Sequence, residues 1–389
     1  MENKISKLYL IIILLYQSQG LFYDSGSILS RLLMFIWLFL SLIYAFRLFM
    51  TSKTNSIDIL IGLFVIMHTL YWTFSPKILL GDYGESKTYM VFKDILTVQL
   101  SYFPFRYFTY KKYITKREIQ WFSLILLFIL IPQFFRHQAE LMLIADSENV
   151  TNNDSYFFVA LIPLFTVFFS NKKIMFPAFI VCVTFVLLGA KRGAILCMIF
   201  VCLAFFYYLL KLMKRKSTFL GILLVFLFIG VIITVCSSIF ENNEYLQMRL
   251  YETQENNTSG RDVIYSTLFT YCMGRTNFVE AIFGEGFMYT INIAGITAHQ
   301  DWLELWTNNG FLGLIIYFSI FIAIFRYFIK YKKFMPFESR AMYIGASSVW
   351  LLKSVYSMGY YDPCVSLCML AISYSISVTK ANMVPKINC

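Results

Sequence analysis

Long apolar runs dominate this chain and decide what it can fold into. A helix needs about 20 mostly apolar residues to cross the hydrocarbon core of a bilayer, and runs of this kind recur along the 389 residues. Only 14% of the residues are charged and 59% are apolar, whereas a soluble domain carries about 25% charged residues. The chain lacks the polar surface of a water-soluble globule. We therefore predict an all-α integral membrane protein, a single polytopic domain over residues 1–389.

Twelve membrane-spanning helices are predicted from the apolar runs. They are expected at residues 5–22, 29–50, 57–74, 88–108, 119–135, 155–170, 174–190, 194–212, 218–240, 309–329, 340–358 and 361–379. The first run also resembles a signal peptide, but residues 17–20 contain no small-x-small cleavage site, which favours a span. The fourth contains Lys93 and Asp94. Because adjacent positions do not share a helix face, we expect each of these two to meet a different partner.

The placement of basic residues predicts the orientation. With the N-terminus in the cytoplasm, every predicted cytoplasmic connection is basic, as the positive-inside rule requires. Both termini are therefore expected in the cytoplasm. The net charge of +11 belongs to these short clusters, so no nucleic-acid partner is expected. The exception is the pair Lys191 and Arg192, which falls on the outer side. Interfacial snorkelling and a functional role both explain that pair.

One large outer loop, residues 241–308, is predicted to contain short helices and the polar chemistry of the protein. Loops of this length in a compact protein are usually functional. It holds Arg249, Arg261, Arg275 and His299, the last followed by a predicted short helix. The dipole at a helix N-terminus favours a neutral imidazole, which can accept a proton. His299 is therefore a candidate general base, although a surface histidine at a loop–helix junction would show the same pattern.

The remaining polar residues predict neither a metal nor a cofactor. The eight cysteines form no cluster with zinc-ligand spacing, and the Gly-Glu-Gly at residues 284–286 is too short for a nucleotide-binding motif. Asp301 and Glu304 are expected on a solvated helix face. His68, inside the third predicted span, is expected to be a hydrogen-bonded residue of the bundle.

Three segments on the predicted outer side carry a family resemblance. They are GAKRGA at residues 189–194, SGR at 259–261, and AHQ at 298–300 followed by GFLGL at 310–314. In this order the segments resemble the O-antigen polymerase and O-antigen ligase superfamily of bacterial surface-polysaccharide assembly. In that family an SRGA-like turn precedes a span, an sGR segment follows in the large periplasmic loop, and a His-Asn-type motif leads into a GxxGL helix. Lys191 and Gln300 stand where the family has serine and asparagine.

The resemblance implies a fold and an activity. The fold would be GT-C-like, and the protein would be a metal-independent glycosyltransferase at the periplasmic face of the bacterial inner membrane. Donor and acceptor would be polyprenyl-diphosphate-linked oligosaccharides, with no cofactor. By matching positions, His299 would be the general base. Diphosphate and substrate binding would involve Arg192, Arg261, Lys191, Arg275 and Arg249.

Three functions remain open from the sequence. An O-antigen polymerase is favoured because the chain is rich in Phe, Tyr, Ile, Lys and Asn, as polymerases from variable surface-polysaccharide clusters often are. An O-antigen ligase, which passes the finished glycan to lipid A–core, is the alternative. A flippase is less favoured because its midplane charges and internal repeat are not evident. Membrane lipid, a chain-length regulator and a flippase are the expected partners.

Overall fold

The protein is a bundle of α-helices in a computed structural model. The structure describes residues 1–23, 26–51, 54–75, 85–144, 152–212 and 260–383, with single positions at 230, 234 and 237. The helices in these ranges are α1 (Glu2–Gln17), α2 (Ile28–Thr51), α3 (Ser56–Phe74), α4 (Glu85–Tyr110), α5 (Lys116–Ile144), α6 (Ser155–Leu164), α7 (Lys172–Leu188), α8 (Arg192–Leu212), α9 (Arg261–Met273), α10 (Phe278–Phe283), α11 (Thr290–Ala294), α12 (Asp301–Tyr331), α13 (Phe337–Tyr356) and α14 (Cys364–Met383).

Helices lie at every predicted span except 218–240, which falls almost entirely outside the described residues. Six are long and apolar enough to cross a membrane: α2, α3, α5, α8, α12 and α14. The prediction of an α-helical membrane protein is thereby confirmed. Of the others, α4 and α13 contain charged residues, and α1, α6 and α7 are short. The count of twelve spans stays a prediction.

Helix α14 forms the centre of the bundle. Fourteen of its 20 residues are buried, and it packs against α4, α6 and α13. Small buried residues such as Ala371, Ser373 and Ser375 let neighbouring helices approach closely. The outer helices show the reverse pattern, since Phe46 on α2 is 68% exposed and Phe325 on α12 is 64% exposed. Such large exposed apolar side chains are expected where a helix faces lipid.

A buried ion pair joins α3, α4 and α14. Nε of Arg106 lies 3.6 Å from Oδ1 of Asp58, and neither side chain is more than 1% exposed. The Tyr102 hydroxyl donates to the same Asp58 oxygen at 2.6 Å, and Nη1 of Arg106 donates to Oγ of Ser377 at 2.8 Å. Because a charge without a partner is costly inside a membrane, each of these groups depends on the others.

Several of the helix ends predicted to be cytoplasmic are joined in pairs. Glu2 at the start of α1 pairs with Arg47 near the end of α2. Nζ of Lys116 at the start of α5 lies 2.8 Å from Oε2 of Glu338 at the start of α13. The Tyr107 hydroxyl near the end of α4 also donates to Glu2, at 3.2 Å. The contacts join the ends of α1, α2 and α4, and those of α5 and α13.

Two expectations about single residues have opposite outcomes. The expectation that Lys93 and Asp94 have different partners is wrong, because Nζ of Lys93 lies 3.6 Å from Oδ1 of Asp94. A flexible lysine side chain can bend back to its neighbour even though the two Cβ atoms point apart. The expectation for His68 is confirmed, since its ring is buried and Nδ1 donates to the Phe64 carbonyl at 2.9 Å.

Replacing Arg106 with Ala is expected to destabilise the protein strongly, because Asp58 would remain as an unpaired buried charge. Breaking a buried ion pair from one side costs about 3–5 kcal/mol. A thermal denaturation midpoint measured on the detergent-purified protein should fall accordingly. The double variant Asp58→Asn/Arg106→Met leaves no buried charge and should recover most of the loss. Equal loss in the single and double variants would contradict this role of the pair.

Candidate functional site

The turn between α7 and α8 packs tightly onto the start of α6. A Cβ at Gly189 would overlap the Ser155 hydroxyl, and one at Gly193 would collide with the Tyr156 hydroxyl. Glycine is therefore required at both positions by close packing. This contact holds residues 191–192, the basic pair of the turn, at the mouth of α8.

Lys191 belongs to a group of cations and aromatic rings. Its Nζ donates to Oδ1 of Asn153 and lies 5.4 Å from the centroid of the Tyr156 ring. Nζ of Lys353, on α13, lies 3.5 Å from the centroid of the same ring. Lys353 is fully enclosed and is paired with Asp362, Nζ to Oδ2 at 2.8 Å. The Tyr156 ring thus contacts both Lys191 and Lys353, the lysine that is paired with Asp362.

Arg261, the first residue of α9, reaches the same place. Its Nη1 donates to the Tyr356 carbonyl, at the last residue of α13, at 3.4 Å. The pKa of Lys191 is lowered to about 7, chiefly because its amine is buried; the charges of Lys353 and Arg261 also lower this pKa, and Asp362 opposes them. Two predicted phosphate-binding cations, distant in sequence, are therefore electrostatic neighbours.

His299 lies in a turn that is fastened to the connection between α13 and α14. Its φ of 53° is in the left-handed region, which residues other than glycine rarely adopt. Two residues later the Asp301 carboxylate accepts hydrogen bonds from the backbone N–H of Gly359 at 2.7 Å and of Tyr360 at 3.1 Å. The Tyr317 hydroxyl donates to the same carboxylate at 2.6 Å. The His299 turn is thereby held beside Gly359 and Tyr360, which lie between the paired residues Lys353 and Asp362 in the sequence.

The expectation that Asp301 and Glu304 face solvent is wrong. They are 0% and 1% exposed, respectively. Glu304 accepts hydrogen bonds from the Thr290 hydroxyl and the Ala298 N–H, each at 2.6 Å, and from the Asn308 amide at 2.9 Å. Both carboxylates are used to fix the loop, because each lies on the face of α12 that turns towards the protein.

Arg275 has partners of a different kind. Helix α12 is broken at Gly310, where φ is 61° and ψ is −158°. Arg275 donates to the carbonyls of Trp306 at 2.9 Å and Thr307 at 2.7 Å, just before the break. Carbonyls at a helix end lack partners within the helix. With its side chain only 3% exposed and its Nε 3.5 Å from Glu285, Arg275 stabilises the broken helix.

Two predicted site residues remain, Arg192 and Arg249. Arg192 follows Lys191 directly and begins α8, so it shares the mouth of that helix. Arg249 lies outside the described residues.

Lys353 and Asp362 were not predicted as site residues. A signal for Lys353 was present, since an ionisable residue inside a predicted span is a functional candidate. Its pairing with Asp362 and its contact with Tyr156 depend on the packing of α6, α13 and α14, which no local pattern in the sequence reveals.

This arrangement suits the binding of an anion. Arginine and lysine both bind phosphate oxygens, arginine through two parallel hydrogen bonds and lysine as a point charge. Among the residues that the structure describes, no group of three or more His, Cys, Asp or Glu side chains could hold a metal.

The fold and this site define an α-helical membrane protein with a basic site at one end of its bundle. No protein-family model matches the chain, and no curated protein is significantly similar to it.

The low pKa of Lys191 predicts a pH dependence of anion binding. The lysine is charged below about pH 7 and loses its proton above it, so affinity for a diphosphate lipid analogue should fall as the pH rises from 6 to 8.5. Losing a charge-assisted hydrogen bond corresponds to roughly tenfold or more in affinity. Titrations should compare the wild type with Lys191→Arg, which stays charged. Because titration of the ligand is common to both proteins, parallel profiles would contradict the prediction.

Proposed function

We propose that this protein is an O-antigen polymerase, a surface-polysaccharide polymerase with a GT-C-like fold and twelve spans. It would act at the periplasmic face of the bacterial inner membrane, with both termini in the cytoplasm. The observation that supports this most is the meeting of Lys191 and Arg261 at the end of α13. The His299 turn is fastened to the connection that follows α13. Three motifs of the family resemblance thus lie at one end of the bundle.

The surface beside Arg261 suits a substrate with a lipid tail. On α9, Val263 and Met273 are each 64% exposed, and Phe278 on α10 is 76% exposed. Short helices with exposed apolar side chains are typical of the membrane interface. A polyprenyl chain would remain in the bilayer beside these helices while its diphosphate reaches the cations at the mouth of α8.

The proposed reaction joins two lipid-linked oligosaccharides. A hydroxyl of the acceptor sugar attacks the anomeric carbon of the donor glycan, and the bond from that carbon to the diphosphate oxygen breaks. His299 takes the hydroxyl proton as general base. The leaving polyprenyl diphosphate carries the negative charge, which Lys191, Arg192 and Arg261 stabilise. The reaction balances without a metal, nucleotide or redox partner.

A ligase would use the same chemistry with a different acceptor, the lipid A–core sugar. The composition of the chain, rich in Phe, Tyr, Ile, Lys and Asn, favours the polymerase. The acceptor decides between the two activities, so the product that accumulates without the protein distinguishes them.

Replacing His299 with Ala or Asn is expected to abolish long-chain polysaccharide, because neither side chain can act as the base. Loss of general-base catalysis corresponds to roughly 10²–10⁴-fold in rate. His299→Asn is the sharper variant, since asparagine tolerates the left-handed backbone conformation that His299 adopts. Chain length would be measured by gel electrophoresis at matched protein levels. Ser266→Ala, on an exposed part of α9, is the control; normal chains in His299→Asn would refute the assignment.

Deleting the gene is expected to leave lipid A–core carrying a single repeat unit, because the ligase still transfers an unpolymerised unit. Loss of a ligase would instead leave core with no repeat unit. The same gel resolves the two products. Core without any repeat unit would overturn the polymerase proposal in favour of the ligase.

A further inference from the structure

A second basic site lies at the opposite end of the bundle. A cavity of about 760 Å³ is enclosed by the start of α3, the last turns of α12 and the end of α14. A helix rises 1.5 Å per residue, so the end of α12 at Tyr331 is roughly 30 Å from the break at Gly310. The cavity is therefore separate from the candidate glycan-transfer site and independent of the function proposed for it.

Three cations line this cavity, and none of its described lining residues is acidic: Arg326 and Lys330 on α12, and Lys380 on α14. Arg326 and Lys330 are four residues apart, so both lie on one face of α12. Within the described ranges the Arg326 guanidinium forms no ion pair, and Lys330 lies over the Tyr331 ring at 5.1 Å. Cations from two helices thus converge on this cavity.

A side chain with an unpaired hydrogen-bond donor also lines this cavity. Asn55 lines the cavity and caps α3, its Oδ1 accepting from the Asp58 N–H at 2.9 Å. The Asn55 Nδ2 is buried and has no hydrogen-bond partner among the described residues. Buried polar groups are nearly always paired. A ligand with an acceptor oxygen would supply the partner that this amide lacks.

The rest of the lining is apolar. It includes Ile57 and Leu60 of α3 and Ile322 and Ala323 of α12. Ile322 is 40% exposed, so this part of the wall continues into the lipid-facing surface. A small anion such as inorganic phosphate would leave the apolar part unused. Acyl chains beside a phosphate would fill both parts.

We infer that this cavity binds an anionic phospholipid. The headgroup phosphate contacts Arg326 and Lys330 and accepts a hydrogen bond from Nδ2 of Asn55, while the acyl chains lie along Leu60 and Ile322. Guanidinium groups bind phosphate bidentately, and basic pockets between membrane helices are known to hold lipid headgroups. The lipid would join α3, α12 and α14 at the end where they meet.

Lipid binding to the purified full-length protein tests this directly. Native mass spectrometry would count phosphatidylglycerol molecules retained by the wild type, by Arg326→Gln/Lys330→Gln and by Lys332→Gln/Lys333→Gln. The last variant removes the same charge from exposed residues that do not line the cavity. Retention of phosphatidylglycerol should fall roughly tenfold or more in Arg326→Gln/Lys330→Gln. In Lys332→Gln/Lys333→Gln it should stay within about twofold of the wild type.

A single substitution in the cavity gives a second measurement. Asn55→Asp keeps the oxygen that caps α3 but places a negative charge beside the phosphate, so it should abolish retention of phosphatidylglycerol while helical content stays normal. Equal loss in both double variants would overturn the proposal. Equal retention of phosphatidylcholine, or displacement of the bound lipid by millimolar inorganic phosphate, would also overturn it.

Discussion

The candidate site depends on one buried carboxylate, that of Asp301. It receives hydrogen bonds from the Tyr317 hydroxyl and from the backbone N–H of Gly359 and Tyr360. A carboxylate shielded from water is stable only when its oxygens are paired in this way. The first turn of α12 is therefore fixed to the connection between α13 and α14, and His299, two residues before Asp301, is fixed with it.

The break in α12 makes this attachment compatible with a membrane-crossing helix. A Cβ on Gly310 would lie 2.5 Å from the Gly284 nitrogen, and the Gly286 N–H donates to the Asn308 carbonyl at 2.9 Å. Backbone polar groups freed by the break are thus satisfied by the loop and by Arg275. Non-helical backbone is tolerated near a membrane only when protein covers it in this manner. The Gly-Glu-Gly segment is explained by close approach of two backbones rather than by ligand binding.

The helices were predictable because each apolar run of about 20 residues has one stable form in lipid. Polar positions were less predictable, since their environment depends on contacts distant in sequence. Asp301 and Glu304 look like a solvated face, yet α12 begins at Asp301 inside the predicted loop and buries both. Lys191 and Arg261 were predicted from short motifs, whereas the pairing of Lys353 with Asp362 follows only from the packed bundle.

The cations around the mouth of α8 lie close enough to repel one another. Asp362 is already paired with Lys353. The contacts described for Lys191 and Arg261 are with neutral oxygens, an amide and a backbone carbonyl. Their mutual repulsion contributes to the lowered pKa of Lys191, and the charge of Asp362 opposes it. Under the proposed function, a diphosphate would offer enough oxygens to contact both cations at once.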